Sequence, residues 1–340
     1  MRVAAIDCGT NSIRLLVADI DGLADGLVEV DRRMEIVRLG QGVDATGRLA
    51  PEAIERTRVA LAGYAGLVRE LSAERVRMVA TSATRDAANR EDFHAMVLDT
   101  LGAEPEVISG AEEAALSFTG ATAGLAAPAP YLVVDIGGGS TEFVHGTAAV
   151  DASISVDIGC VRLTERHFHH DPPGPDEVAA ATADIQAALA DVRAAVPADF
   201  GASFRTLVGL AGSVTTVTAL ALGLTTYDSS RTHRAVVPYP AVAEIAADLL
   251  ASTHAERAAY PVIHPGRVDV LPAGALILRT LMADLAAPAV LTSEHDILDG
   301  IALTLAKADD VSPPSHRARV RDLAQEVAER DAELPRRLAE

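Results

Sequence analysis

The 340-residue chain contains no tryptophan, only two cysteines and a single lysine, Lys307. The two cysteines, Cys8 and Cys160, cannot form a disulfide framework, so we expect reduced thiols and a cytoplasmic location. Aromatic residues account for only 3% of the chain, and alanine, valine and leucine must therefore fill most of the core. Because lysine is nearly absent, arginine carries almost all of the positive charge.

Acidic residues exceed basic ones, and the formal net charge is −19. Such a chain is not expected to bind nucleic acid or an anionic membrane by nonspecific attraction. A polyanionic substrate would need local arginines, backbone amides or a metal ion. Because Met1 and Arg2 lead directly into a strand pattern, we expect no signal peptide. The uncharged stretches 114–134 and 206–227 contain glycine, threonine and serine, and a strand and a helix joined by a turn explain each better than a membrane span.

Strand and helix patterns alternate along the chain, which is typical of an α/β fold. A strand–turn–strand pattern covers 2–20, and apolar residues at helical spacing predict a helix over 50–73. The remaining predictions before residue 124 are a strand running into a loop at 36–49, a strand ending in a Ser/Thr-rich loop at 75–87, a helix ending at Gly102, and a short strand, a turn and a helix beginning near Glu112.

The pattern starts again after an uncharged Gly/Ala/Pro segment at 124–131. It predicts strand–turn–strand at 131–145, a strand at 151–158, and helices near 175–196 and 213–222. We therefore expect two domains, residues 1–124 and 125–306, followed by a linker and a tail helix at 307–340. A helix near 297–308 is expected to pack back on the first domain.

The two halves begin with similar segments, AAIDCGTNSIRLLV and LVVDIGGGSTEFVH. Their alignment places Asp7 on Asp135, Gly9 on Gly137 and Ser12 on Ser140. Each segment is an apolar strand, an Asp-x-Gly turn and a second strand. This repeat predicts two similar half-folds that each start with a hairpin.

The glycine loop of the second segment excludes two common phosphate-binding motifs. A Rossmann loop leads into a helix, whereas TEFVHG has the residues of a strand. A P-loop requires a lysine that is missing here. Successive glycine amides in a hairpin turn can instead form an anion nest, and the first loop, DCGTNS, can do the same from the opposite side. The segment LVGLAGSVTTVTAL predicts a third contact, a helix N-terminus near Gly212 and Ser213.

Six segments carry a resemblance to a known family. They occur in this order: AAIDCGTNSIRLLVAD, ATSATRDAANRE, VISGAEEAALSFTGA, VVDIGGGSTEF, SVDIGCVRLTE and EHDILDGIAL. Together they resemble the exopolyphosphatase/guanosine pentaphosphatase (Ppx/GppA) family, in its short two-domain form, over about residues 2–305. The resemblance implies two RNase-H-like α/β domains of the actin-like ATPase superfamily, with a cleft between them. It also implies removal of a terminal phosphate with a divalent metal ion, usually Mg²⁺.

The resemblance assigns roles to particular residues. Glu113, the second acid of SGAEEA, is expected to be the base that orients water, and Glu112 is expected to be structural. The expected metal ligands are Asp7, Asp135 and Glu142. The expected phosphate contacts are Gly9, Thr10, Asn11, Ser12, Arg85, Gly137, Gly138, Gly139, Ser140, Arg162, Gly212 and Ser213.

The leading functional prediction is an exopolyphosphatase, with a preference for short chains because the extra helical domains of the long members are missing. Guanosine pentaphosphate hydrolysis is the alternative that shares the same catalytic residues. A kinase is disfavoured by the paired acids, which favour water as the acceptor. A non-catalytic protein that binds polyphosphate or an alarmone remains the alternative of another class. The family also implies a homodimer.

Overall fold

The computed structural model describes residues 1–20, 27–195 and 204–307. The predicted linker and tail helix from residue 308 onward lie outside this part. Among the described residues, no helix combines the length and the apolar character that crossing a bilayer requires.

The first half of the chain forms a five-stranded sheet in the order β3-β2-β1-β4-β5. Strands β1 to β3 pair antiparallel, whereas β1, β4 and β5 run parallel. The strands are β1 (Arg2–Cys8), β2 (Ser12–Ile20), β3 (Leu27–Ile36), β4 (Arg75–Ala80) and β5 (Glu106–Val107). The helices are α1 (Val43–Thr46), α2 (Pro51–Glu70), α3 (Ser82–Asp86), α4 (Arg90–Leu101) and α5 (Gly110–Thr122).

The second half forms a six-stranded sheet in the order β10-β11-β9-β6-β7-β8. Its strands are β6 (Tyr131–Ile136), β7 (Thr141–Gly146), β8 (Val150–Val156), β9 (Thr206–Leu210), β10 (Val236–Pro238) and β11 (Ala289–Thr292). Its longer helices are α6 (Cys160–His167), α7 (Pro175–Ala195), α8 (Ala211–Ala221), α10 (Tyr239–Ala251), α12 (Leu271–Asp284) and α13 (Ile297–Lys307). The shorter helices are α9 (Ser229–Thr232), α11 (His254–Ala258) and a 3₁₀ turn at Pro265–Arg267.

The two sheets share one topology. In the second sheet, β8-β7-β6-β9-β11 repeats the strand order and the directions of β3-β2-β1-β4-β5, and β10 is an added antiparallel edge. The chain therefore contains two α/β units of one topology. This confirms the α/β fold class and the two similar half-folds that the repeated hairpin predicted, and it agrees with the two RNase-H-like units that the family resemblance implied.

The central strands are apolar on both faces because helices cover both sides of each sheet. Alternate residues of β1 enter different clusters: Ala4 and Ile6 pack with α2 and α4, whereas Val3 and Ala5 pack with α5 and α13. Helix α13 follows the last strand of the second sheet and nevertheless packs on the first sheet. The chain therefore passes between the halves twice.

Two stretches differ from the sequence predictions. The strand predicted at 36–49 ends at Ile36, and residues 37–49 form turns and α1. The Ser/Thr-rich segment after β4 is the short helix α3 and not a loop. Strand β3 was missed over most of its length, because it is an edge strand whose polar residues blur the alternation that marks a half-buried strand.

Helices α5 and α13 cross at two glycines. A Cβ on Gly120 would lie 1.8 Å from the carbonyl oxygen of Asp296, and a Cβ on Gly300 would lie 2.0 Å from that of Leu116. Only glycine therefore allows the two backbones to approach so closely. This contact holds α13 against the helix that carries Glu113.

We predict that Gly300→Ala lowers the free energy of unfolding by about 2–3 kcal/mol, because the new methyl group separates α13 from α5. Gly63→Ala is the matched control, since Gly63 also lies within a helix but has open space around its Cβ position. It should leave the stability unchanged or raise it by about 1 kcal/mol. Urea unfolding measures both variants, and equal stability of the two would contradict the prediction.

Candidate active site

The carboxyl ends of β1 and β6 lead into two short hairpin loops, residues 9–11 and 137–140. The loops touch each other. A Cβ on Gly138 would lie 2.9 Å from the Cβ of Thr10, and one on Gly139 would lie 2.8 Å from Oγ1 of Thr10. A side chain at either glycine would push the loops apart. A cavity of about 90 Å³ lies beside this contact, between the two halves.

The glycine loop is oriented by α6. The first N–H groups of α6 and the Nε of Arg162 donate to the carbonyls of Gly137, Gly138 and Gly139 at 2.7 to 3.1 Å. Because the N–H and C=O of a trans peptide point in opposite directions, the N–H groups of residues 138–140 point away from α6. These three groups donate to no acceptor in the described part of the chain. Such a run of free N–H groups suits an anion.

Four buried carboxylates line the cavity: Asp7, Glu113, Asp135 and Glu142 are each at most 9% exposed. Strand register places Asp7 opposite Arg14 in the first hairpin and Asp135 opposite Glu142 in the second. Equivalent positions of the repeat thus carry an arginine and a glutamate. The first hairpin is charge-paired, whereas the second places two acids side by side.

Each carboxylate has a different partner. Arg14 donates from Nη2 to Oδ2 of Asp7 at 2.6 Å, while Oδ1 of Asp7 is buried without a hydrogen-bond partner. Arg85 donates from Nη1 to Oε2 of Glu113 at 3.2 Å. The two acids of the second hairpin accept only hydroxyl hydrogen bonds, Asp135 from Ser117 at 2.9 Å and Glu142 from Ser155 at 2.7 Å. The arginines therefore neutralise only part of the acidic charge.

Burial and mutual repulsion raise the pKa of these acids. Burial, followed by the charge of Glu142, raises the pKa of Glu113 well above its usual range. Burial raises the pKa of Asp135 to about 6, against the opposing effect of Arg14. Burial and the charge of Asp135 raise the pKa of Glu142 to about 7. A cation placed among these groups would favour their ionised forms.

The donor set fits a partly hydrated divalent cation. Among the described residues, no three His, Cys, Asp or Glu side chains are grouped closely enough to hold a metal ion by themselves. Mg²⁺ keeps several water ligands and needs only one or two carboxylates. The unpartnered Oδ1 of Asp7 and the weakly neutralised Asp135 provide oxygen ligands of that kind.

Two arginines outside the predicted set also line the cavity. Arg14 joins Asp7 to Asp296, and it lies in β2 two residues after Ser12. Arg267 donates no side-chain hydrogen bond to any described residue, and burial lowers its pKa. Its guanidinium lies over the N-terminus of α8, where a Cβ on Gly212 would fall 2.1 Å from its Cζ. An unpaired guanidinium at a helix N-terminus favours an anion.

Most of the predicted site residues line this cavity. They are Asp7, Gly9, Thr10, Asn11, Ser12, Glu113, Asp135, Gly137, Gly138, Ser140, Glu142, Gly212 and Ser213. Arg85 reaches the site only through Glu113. Gly139 and Arg162 line a separate small cavity, and the Nη atoms of Arg162 are bound to Asp44 and Asp86.

Sequence reasoning missed Arg14, Thr81 and Ser82, and it named Arg267 as a residue at the border of the cleft without assigning it a role; all four line the cavity. Arg14 is a charged residue within the apolar strand pattern SIRLL, and this could have indicated that it has a role in the site. Thr81 and Ser82 follow β4, whose carboxyl end lies beside that of β1, so their position followed from the parallel pairing. Nothing in the sequence near Arg267 indicates that its side chain covers a helix N-terminus.

The structure is thus a pair of α/β units of one topology whose glycine loops meet beside a cavity lined by four buried carboxylates. The model of the Ppx/GppA phosphatase family matches residues 16–308. The chain belongs to this family.

Several relatives match along most of their length. Exopolyphosphatase 2 of Mycobacterium tuberculosis is 54% identical over 317 residues, which are 90% of this chain and 98% of that protein. An exopolyphosphatase-like protein of known crystal structure has 42% sequence identity to this chain and a TM-score of 0.86. The match covers 90% of this chain and 99% of that one. The crystal structure of a Ppx/GppA family member from Aquifex aeolicus has 32% sequence identity to this chain and a TM-score of 0.77. The match covers 92% of this chain and 99% of that one.

We predict that the protein loses stability as the pH rises from 5 to 8 in the presence of a chelator. An acid with a raised pKa in the folded state stabilises the fold while it is protonated, and this contribution is lost as the pH passes its folded pKa. Folding raises the pKa of Glu142 from 4.5 to about 7, and the resulting loss in the free energy of unfolding is on the order of 3 kcal/mol. Denaturant unfolding of the wild type and of Glu142→Gln between pH 5 and 8 measures this loss, which should be smaller in the variant. The same pH dependence of stability in both proteins would contradict the prediction.

Proposed function

We propose that this protein is an exopolyphosphatase that hydrolyses the terminal phosphoanhydride bond of inorganic polyphosphate. The observation that carries the proposal is the cavity in which free loop amides, an unpaired arginine and four carboxylates meet. Amides and arginine suit the phosphate oxygens, and the carboxylates suit a divalent cation and a water molecule. The similarity to Exopolyphosphatase 2 supports the same substrate class.

In this proposal the terminal phosphate lies between the two loops. The N–H groups of residues 138–140, the first turn of α8 at Gly212 and Ser213, and the guanidinium of Arg267 hold its oxygens. Thr10, Asn11 and Ser12 complete the loop contacts. The N–H groups of Gly9 and Gly137 donate to the carbonyls of Ser12 and Ser140, so these two glycines shape the hairpins and do not contact the phosphate. This arrangement orients the scissile bond and spreads the developing charge over several fixed donors.

Glu113 orients the attacking water and accepts its proton. Its carboxylate is buried at the start of α5, and its Oε2 accepts a hydrogen bond from Nη1 of Arg85 at 3.2 Å. Arg85 stabilises the ionised form that can accept a proton, against the burial that raises the pKa. Asp7 and Asp135, together with water ligands, would hold Mg²⁺ or another divalent cation, and Glu142 beside Asp135 would bind one of those waters. When bound, the cation neutralises phosphate oxygens.

A second cavity of about 380 Å³ extends from the first. Both are lined by Arg14, Gly212 and Arg267, and the second also contains Arg32 and Arg33. We propose that the next phosphates of the substrate enter here. Because the basic lining is limited to a few arginines and the whole chain is strongly acidic, short chains are the expected substrates.

One observation favours guanosine pentaphosphate as a second candidate substrate. Tyr227 lines the second cavity and donates from its hydroxyl to Glu294 at 2.5 Å. An aromatic ring can stack on a guanine base, and a carboxylate can accept hydrogen bonds from it. The two substrates would share the phosphate site, so only a direct comparison separates them.

The remaining parts of the proposal rest on the sequence. The domain division at residue 124 rests on the uncharged Gly/Ala/Pro segment, the cytoplasmic location on the two unpaired cysteines, and the homodimer on the family resemblance. Metal dependence is directly testable: a chelator should abolish phosphate release, and added Mg²⁺ should restore it.

We predict that Glu113→Gln lowers the kcat for phosphate release from short polyphosphate by about 10²–10⁴-fold, because the amide cannot accept a proton. Glu112→Gln is the matched control: it precedes Glu113 in α5, but its carboxylate is half exposed and pairs with Arg77. It should retain activity within about threefold. Short polyphosphate, long polyphosphate, guanosine pentaphosphate and ATP are compared with Mg²⁺ present.

The pattern of release decides between the candidates. Release only from guanosine pentaphosphate would replace the proposed substrate. Tight polyphosphate binding without release from any substrate would identify a non-catalytic binder and overturn the mechanism. Equal activity of Glu113→Gln and wild type would remove Glu113 from its role.

We also predict that Gly212→Ala raises the KM for short polyphosphate about tenfold without lowering the melting temperature. The new methyl group would occupy the position of the Arg267 guanidinium, which can move aside at little cost because it is the end of a flexible side chain. The phosphate would then lose a charged donor worth about 1.5–3 kcal/mol. Gly66→Ala, with open space around its Cβ position, is the control. An unchanged KM would show that Arg267 is not a substrate contact.

A further inference from the structure

Arg162 connects three parts of the molecule. Its Nε donates to the carbonyl of Gly139 at 2.7 Å, its Nη1 to Asp44 at 2.6 Å and its Nη2 to Asp86 at 2.7 Å. Gly139 belongs to the glycine loop of the second half, whereas Asp44 and Asp86 belong to α1 and α3 of the first half. One guanidinium therefore links the loop to the opposite side of the cleft.

The neighbouring contacts across the cleft do not involve the loop. Arg166 pairs with Asp44 at 3.0 Å and with Asp184 at 2.6 Å, and Glu165 accepts from the backbone N–H of Gly42 at 3.1 Å. The bonds to Asp44 and Gly42 hold α6 against the first half, whereas the pair with Asp184 joins α6 to α7 within the second half. Only Arg162 in this cluster also binds a carbonyl of the glycine loop.

The side chain of Arg162 is only 13% exposed, and both of its terminal nitrogens are bound to carboxylates. It does not line the cavity between the loops. A phosphate could reach this guanidinium only if Asp44 or Asp86 released it. The observed contacts thus favour a role through the loop over direct contact with substrate.

We propose that Arg162 is a positioning residue that fixes the glycine loop of the second half relative to the first half. By holding the carbonyl of Gly139, it directs the N–H of Ser140 away from α6, and its bonds to Asp44 and Asp86 keep the two loops in contact. The proposal revises the direct phosphate contact expected from the sequence. It rests on the proposed function only for its kinetic consequences.

The kinetic test separates positioning from direct binding. In the full-length protein, Arg162→Gln should lower kcat for short polyphosphate about tenfold with KM changed less than threefold, because small displacements of catalytic groups reduce rates strongly. Arg162→Lys should resemble it, since one ammonium group cannot reach all three acceptors. Asp86→Asn should also lower kcat, and its effect should not add to that of Arg162→Gln.

Direct phosphate binding gives the opposite result for Asp86. If Arg162 contacted substrate, Asp86→Asn would free the guanidinium and lower KM, while Arg162→Gln would raise KM. Arg193→Gln is the matched control, because Arg193 pairs with Asp284 within the second half, away from both loops. It should leave kcat and KM unchanged.

A second measurement does not depend on activity. Hydrogen exchange of the peptide containing residues 137–146, measured without substrate, should become several-fold faster in Arg162→Gln and Asp86→Asn but not in Arg193→Gln. If wild type releases no phosphate but the exchange differs as expected, the proposed function fails and the positioning role stands. Unchanged exchange in Arg162→Gln, or a KM effect without a kcat effect, would overturn the positioning role.

Discussion

The arrangement of the molecule depends on one electrostatic constraint, the burial of four carboxylates around a single cavity. Such groups are costly to ionise away from water unless cations or hydrogen bonds compensate them. Arg14 and Arg85 compensate Asp7 and Glu113, whereas Asp135 and Glu142 have only hydroxyl donors. The imbalance is built into the repeat, because the position that carries Arg14 in the first hairpin carries Glu142 in the second. The two repeated hairpins therefore contribute different charges to the site: an acid and an arginine from the first, and two acids from the second.

Close backbone contacts keep the acidic groups in place. The loops meet where glycines face Thr10, and α5 meets α13 where Gly120 and Gly300 face each other's backbones. The first contact fixes the floor of the cavity, and the second fixes the helix that presents Glu113. Both contacts join segments far apart in the chain, and both exclude any Cβ. The geometry of the site therefore depends on glycines that leave room for the Thr10 side chain in the first contact and for the backbone of the opposite helix in the second.

Charge also explains how an acidic protein can accommodate a polyanion. The net charge of −19 opposes the approach of polyphosphate, but the cavity presents free amides and the unpaired Arg267. Arg14, Arg32 and Arg33 of the second cavity are already ion-paired with carboxylates. Fixed local dipoles and charges in a partly buried cleft act over short distances, where they outweigh the screened field of distant surface acids. Arg162, tied to two carboxylates, contributes to this arrangement through geometry and not through free charge.

Local sequence patterns were sufficient to predict the α/β fold class and most of the residues that line the cavity. The repeated strand, Asp-x-Gly turn and strand are local patterns, so they placed Asp7, Asp135 and both loops correctly at the cavity. The contacts of Arg14, Arg85, Arg162 and Arg267 became visible only in the folded chain. Their long side chains choose among partners that lie far away in sequence, such as Asp296 for Arg14 and Asp86 for Arg162. Local patterns carry no information about such choices, because the partners are brought together only when the two sheets pack.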